Sequence, residues 1–168
     1  PPGRRAHDRA GWMPRCGWAE RPGRARTSYH RAVVLSPVTF FSTCIVDSVA
    51  GAVGRAAVRV LERQGYRVTV ARDATCCGQP AWNSGFVDAA ARVARASLEA
   101  LEGGEGPVCL PSGSCATMIR VYWPQMFRLA GDPDAAVRAE RLAERVVEFA
   151  ELAARGPVIA GRLEARVA

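Results

Sequence analysis

The chain has no lysine, although arginine is abundant. Ser112-Gly113-Ser114 therefore cannot complete a phosphate loop, which needs a lysine to reach the phosphates. Histidine is nearly absent as well: His7 and His30 both fall within residues 1–31. The body holds none, which excludes a Ser–His or Cys–His hydrolase and a His-ligated metal site. No apolar run approaches the roughly 18 residues of a membrane span. The stretch from Ala32 to Phe41 is too short and is broken by Pro37. No Cys-x₂₋₄-Cys knuckle occurs, so the usual zinc-ligand spacing is missing. Gly51-x-x-Gly54 lies on a helical pattern and is not a dinucleotide fingerprint. The body also lacks an excess of one charge. The whole chain carries +7, yet residues 1–31 hold eight Arg against Asp8 and Glu20, and the rest hold fifteen Arg against fourteen acids. A nearly neutral body is not a nucleic-acid-binding surface.

At 168 residues and 49% apolar content, the chain is sized for one domain. Such a domain buries enough surface to form a core without disulfide staples. Pro1 to Arg31 mixes Pro, Gly and Arg with no apolar period and reads as a disordered arm, an upstream extension or a fragment end. An Arg-rich targeting peptide fits poorly with Asp8, Glu20, Trp12, Trp18 and Tyr29. Cys16 is incidental to that arm. Residues 32–168 are expected to form a single α/β domain.

The body alternates strands and helices. Val33 to Phe41 is strand-like, and Asp47 or Ser48 can cap a helix running to about Gln64. Val49, Val53, Ala57 and Val60 share one face of it, and Gly65 suits the position after its end. Tyr66 to Ala71 is a second strand, followed by a Cys-Cys-Gly loop. A helix from about Ser84 to Leu101 carries Val87, Ala91, Ala94, Leu98 and Leu101 on one face. Pro107 to Leu110 is a third strand, and a short helix starts near Cys115. The periodicity of Ala139, Leu142, Val146, Phe149 and Ala153 predicts one helix from Pro133 to Ala153, with Arg141–Glu144 and Arg145–Glu148 pairs on its wet side. Arg120, Tyr122 and Trp123 read as a solvated helix face or a partner contact. This alternation implies a parallel sheet flanked by helices, a Rossmann-like or flavodoxin-like three-layer fold. Ligands of such sheets bind beyond the carboxyl ends of the strands.

Six cysteines in a chain of this size, without a signal h-region, do not describe a secreted disulfide framework. An adjacent pair in a βαβ pattern suits a reducing, cytoplasmic compartment and metal or redox chemistry. Cys44, Cys76-Cys77 and Cys115 each fall just after an expected strand. Thirty-one residues separate Cys44 from Cys76, and thirty-seven separate Cys77 from Cys115. Each gap is one αβ unit, so each returns the chain to the same edge of the sheet. Soft thiolates select zinc, Cu(I) or iron–sulfur iron. Adjacent ligands suit neighbouring irons of one cluster better than a single tetrahedral ion. A structural zinc or thiol-switch module that docks on a partner is the alternative. Gly78, Ser112, Gly113 and Ser114 would let backbone N–H groups approach a sulfide-rich anion. Cys109, in an apolar strand, reads as a buried structural cysteine with a fifth ligand as its minority role. Trp82 is either a cover over the site or plain packing.

Phe40-Phe41-Ser42-Thr43-Cys44-Ile45-Val46-Asp47, Cys76-Cys77-Gly78-Gln79-Pro80-Ala81-Trp82-Asn83-Ser84-Gly85 and Pro111-Ser112-Gly113-Ser114-Cys115 stand in order over roughly residues 38–155. Together they resemble the cysteine-rich CCG domain family, which includes a heterodisulfide reductase component and the glycolate oxidase iron–sulfur subunit. They look most like the amino-terminal half of its lactate-utilisation branch. The resemblance implies an iron–sulfur cluster, 4Fe–4S in type, held by Cys44, Cys76, Cys77 and Cys115. It also implies electron transfer in the oxidation of a 2-hydroxy acid, L-lactate to pyruvate, beside other iron–sulfur and oxidoreductase subunits. The family's last motif is Cys-x-x-Cys, whereas Ser112 stands at its first position here. The family also carries two CCG halves, and this chain reaches Ala168 without a second Cys-Cys-Gly. It is thus expected to be one half, truncated or completed by a partner.

Overall fold

The structure, a computed structural model, describes residues 36–157. The arm at 1–31 with Cys16, His7 and His30, the start of the first expected strand, and residues 158–168 lie outside the described residues.

Four parallel strands form the sheet, β1 (Ser36–Phe40), β2 (Tyr66–Val70), β3 (Val108–Leu110) and β4 (Val146–Glu148), in the order β2-β1-β3-β4. Val38 faces Val68 across one ladder, and Phe40 faces Cys109 across the next. The helices cover both faces, as the parallel, alternating sequence requires. On one side α2 (Gly51–Arg63) and α8 (Phe149–Arg155) bring Leu61 and Leu152 into one core with Val38, Phe40, Cys109 and Val147. On the other, α4 (Val87–Glu102) is joined by α6 (Trp123–Leu129) and α7 (Pro133–Ala143) over Val108, Leu110 and Val146. The stripe expected on α4 does face that core: Ala91, Ala94, Leu98 and Leu101 are all buried. Each fully buried leucine contributes roughly 1.5–3 kcal/mol.

From β1 the chain first adds β2 on one side and then crosses back to add β3 on the other. The carboxyl ends of β1 and β3 therefore flank a topological switch point, where the loops diverge and leave a crevice.

Several boundaries differ from the sequence expectation. The helix expected from Asp47 or Ser48 is two: α1 (Cys44–Val49) breaks at Ala50, and α2 follows. Asp47 lies inside α1 and does not cap it. A short helix, α3 (Gln79–Asn83), precedes α4. The helix near Cys115 is longer than expected. It begins as α5 (Gly113–Thr117), widens into a π-helical turn at Met118–Tyr122 and continues as α6. Pro124 falls in the first turn of α6, where proline is tolerated.

The single helix expected over Pro133–Ala153 is overturned. It is α7, then β4, then α8. Val146 and Val147 are β-branched, pair with Val108 and Cys109, and point into opposite cores. Burial on two faces with a period of two stabilises a strand there. Arg145 accordingly leaves the expected pair with Glu148 and donates to the carbonyls of Glu102, Gly104 and Gly106.

Candidate functional site

Three loops leave the carboxyl ends of β1, β2 and β3, and each delivers thiol. Cys44 opens α1, Cys76 and Cys77 lie in the loop between β2 and α3, and Cys115 lies in the first turn of α5. All four are free thiols. The Cys44 and Cys76 sulfurs are 3.5 Å apart, and the Cys77 and Cys115 sulfurs 3.3 Å apart. Cys77 and Cys115 are buried, whereas Cys44 and Cys76 are partly open. A cavity of about 220 Å³ adjoins them, lined among others by Thr43, Cys44, Cys77, Ser112, Ser114 and Cys115. The sequence thus located all four thiols that the fold brings together.

The thiols stand as two pairs. Among the described residues, no three Cys, His, Asp or Glu side chains converge on a point where one metal ion could sit. A closed zinc site would need four donors at about 2.0–2.3 Å from one centre, and this arrangement does not provide it. What the residues offer is a soft, thiol-only donor set on the rim of a cavity, with hydrogen-bond donors aimed at the sulfurs. Such a set is chemically suited to soft metals, whether zinc or iron–sulfur iron.

The electrostatics of the pairs are asymmetric. Cys115 is lowered to about 6, first by the hydrogen bond from the Cys77 thiol and then, against the opposing effect of burial, by the hydroxyls of Ser112 and Ser114. Cys77 is held well above the ordinary thiol value because it is the donor to Cys115 and because it is buried. Cys44 is raised chiefly by burial, and next by its contact with Cys76. Of this pair, Cys115 is thus the one favoured as a thiolate, with the proton held on Cys77. The Ser112 and Ser114 oxygens lie 3.2 Å apart, both beside that thiolate.

The loop that carries the adjacent cysteines is fixed from three sides. Gly78 donates its N–H to the Cys76 sulfur at 3.4 Å. Its φ of +80° suits glycine, and a Cβ there would sit 2.8 Å from the Ala90 carbonyl oxygen. Ser97 of α4 is fully buried and accepts from the N–H groups of Thr75 and Cys76 at 3.1 and 3.2 Å. Its hydroxyl donates in turn to the Cys76 carbonyl at 2.9 Å. Trp123 donates its indole N–H to the Cys77 carbonyl at 2.8 Å. The expectation of a solvated face at Arg120, Tyr122 and Trp123 is thus corrected at Trp123, which is fully buried, while Arg120 and Tyr122 are exposed.

Ser97 and Trp123 were not legible as site residues. The available signal for Ser97 was a lone polar residue on the apolar face of α4, three positions after Ala94. For Trp123 there was none, because nothing in the pattern told the inward face of its helix from the solvated one. Trp82 is half-buried against the core and meets Tyr122 with ring centroids 6.0 Å apart. Cys109 is buried in β3 in the other core, beside Val38 and Phe40, and burial pushes it up to about 12.

The model of the CCG family, described as a cysteine-rich domain, matches residues 38–120. Lactate utilization protein A of Bacillus thuringiensis (strain Al Hakam) is 44% identical over 114 residues, which cover 68% of this chain and 46% of that protein. Lactate utilization protein A 2 of Bacillus mycoides (strain KBAB4) and lactate utilization protein A of Bacillus cereus (strain B4264) match with the same identity and the same coverage. The chain therefore spans about half the length of these curated relatives. No solved structure matches it. Residues 38–120, the segment that carries all four of these thiols, belong to the cysteine-rich CCG-domain family.

Proposed function

We propose that residues 32–168 form one CCG half-domain in which Cys44, Cys76, Cys77 and Cys115 hold an iron–sulfur cluster, 4Fe–4S in type. The observation that carries this reading is the convergence of four free thiols from three separate loops at the carboxyl edge of the sheet. When bound, the cluster would take up and pass on single electrons. The chain's own residues supply ligands, hydrogen bonds and a buried setting. Gly78 N–H and the Ser112 and Ser114 hydroxyls donate to ligand sulfurs, and such donors raise a cluster's potential. Ser97 and Trp123 hold the Cys76-Cys77 backbone and so fix the direction in which both thiols would be offered to the cluster.

The names of the relatives support a place in lactate utilisation. We assign the chain to electron transfer in the oxidation of a 2-hydroxy acid, L-lactate to pyruvate, in the cytoplasm. That oxidation releases two electrons and two protons. We propose that other oxidoreductase or iron–sulfur subunits of the same complex are its partners and exchange those electrons with it.

The test is iron and acid-labile sulfide per chain, with a visible spectrum, on protein purified or reconstituted without oxygen. Roughly four of each with a broad visible absorption band is the expected result. A folded chain with free thiols and no iron would overturn the proposal.

One observation favours a second reading, a thiol switch. With 3.3 Å between the Cys77 and Cys115 sulfurs, a mild oxidant such as a peroxide could join them in a disulfide, taking two electrons and two protons. Loss of two thiols per chain under peroxide, in protein that binds no iron, would select that reading.

A further inference from the structure

Thr43 is the sole non-glycine residue with a positive φ among the described residues, at φ 70° and ψ 151°. That region is essentially reserved for glycine, and a β-branched residue in it is a true outlier. Its neighbours impose the conformation. Phe41 N–H bonds the Cys109 carbonyl at 2.9 Å, so the strand line holds to Phe41. Asp47 N–H bonds the Thr43 carbonyl at 3.0 Å, so α1 begins at once. Only Ser42 and Thr43 are left to turn the chain from strand to helix.

A glycine would make this turn without strain. A threonine at a helix start usually recovers stability by capping, its hydroxyl accepting an N–H of the first turn. Thr43 makes no such bond. It is 1% exposed and lines the thiol cavity. A strained backbone and a forgone cap thus fall together on the residue next to Cys44. Strain of this kind persists where the surroundings over-determine it, and it clusters at functional sites.

We infer that Thr43 is a positioning residue. Its fixed turn aims the Cys44 thiol at Cys76, 3.5 Å away, and its hydroxyl is left to donate to a sulfur-rich anion in the cavity. The hydroxyl's acceptor rests on the iron–sulfur reading, whereas the aiming of the thiol does not.

The test uses the full chain with Thr43→Gly and Thr43→Ser. In metal-free, reduced protein, dibromobimane bridges thiols that lie in contact, and peptide mass mapping separates Cys44–Cys76 from Cys77–Cys115 bridges. Thr43→Gly raises the melting temperature by releasing strain and lowers Cys44–Cys76 bridging several-fold, with the other bridge unchanged. Thr43→Ser bridges as the wild type does. After reconstitution, Thr43→Gly loses iron to a chelator several-fold faster than the wild type, and Thr43→Ser does not. Unchanged Cys44–Cys76 bridging in Thr43→Gly, whether its melting temperature rises or falls, would overturn the inference and leave the aiming of Cys44 to the flanking strand and helix. If no version takes up iron while bridging still falls in Thr43→Gly, the positioning role stands and the iron–sulfur reading fails.

Discussion

At the scale of single residues, the site works through hydrogen bonds to sulfur and to the backbone that carries it. Cys115 shows the first kind. Its value of about 6 lies below the roughly 8.5 of a free thiol, so folding favours its thiolate. The stabilisation is present in full above the unfolded value and is lost as pH falls through about 6. In metal-free, reduced protein, ultraviolet thiolate absorbance should therefore titrate near about 6, and Cys115→Ser should abolish that step. Over the same fall in pH, the stability advantage of the wild type over Cys115→Ser should shrink in denaturant unfolding. Ser97 shows the second kind. Replacing it with Ala removes the acceptor of two backbone N–H groups. A buried unsatisfied donor costs about 1–3 kcal/mol, and Ser97→Ala should lose stability of that order in urea. Thiol reactivity of Cys76 should rise in parallel as its loop loosens.

At the scale of elements, what could be read in the sequence depended on whether local pattern and tertiary context agreed. β1, β2 and β3 were legible because runs such as Tyr66-Arg67-Val68-Thr69-Val70 are β-branched and bounded by glycine or proline. α4 was legible because its buried stripe keeps one helical period over four turns. β4 was not, because its three residues lie between two helices whose apolar positions stay in phase across it. Only pairing with β3 tells Val146 and Val147 apart from one more helical turn. Val147→Ala should accordingly cost about 2 kcal/mol, the order seen when a buried methyl pair is deleted. It should also speed amide exchange on both sides of the β3–β4 ladder, an effect a helix at this place would confine to its own neighbours. The Cys-Cys-Gly turn is a second element whose shape is fixed by one residue. Gly78→Ala puts a side chain at positive φ against the Ala90 carbonyl. About 1–3 kcal/mol of strain should appear as a lower midpoint of unfolding in metal-free protein. Iron content after reconstitution should fall with it.

At the scale of the whole molecule, the placement of the thiols follows from topology more than from any one contact. Three βα connections end at one edge of a parallel sheet, with the crevice between β1 and β3 beside them. Spacing in the sequence was enough to predict this convergence. The supports from α4 and α6 were not predictable, because they come from a layer whose packing on the loop depends on tertiary contacts. A site assembled from three separate loops should couple its ligand to the whole fold. A group that binds the native state alone stabilises it by RT ln(1 + [L]/Kd), about 2.7 kcal/mol at a hundredfold excess over Kd. Reconstituted protein should thus melt higher than metal-free protein, and a chelator should return it to the lower value. If each loop contributes a ligand, as proposed, Cys44→Ser, Cys77→Ser and Cys115→Ser should each shrink that gap. Cys109→Ser lies in the opposite core and should lower both melting temperatures while leaving the gap intact. A gap that survives Cys44→Ser or Cys115→Ser would mean that the metal sits on fewer loops than the fold brings together, and the three-loop site would have to be redrawn.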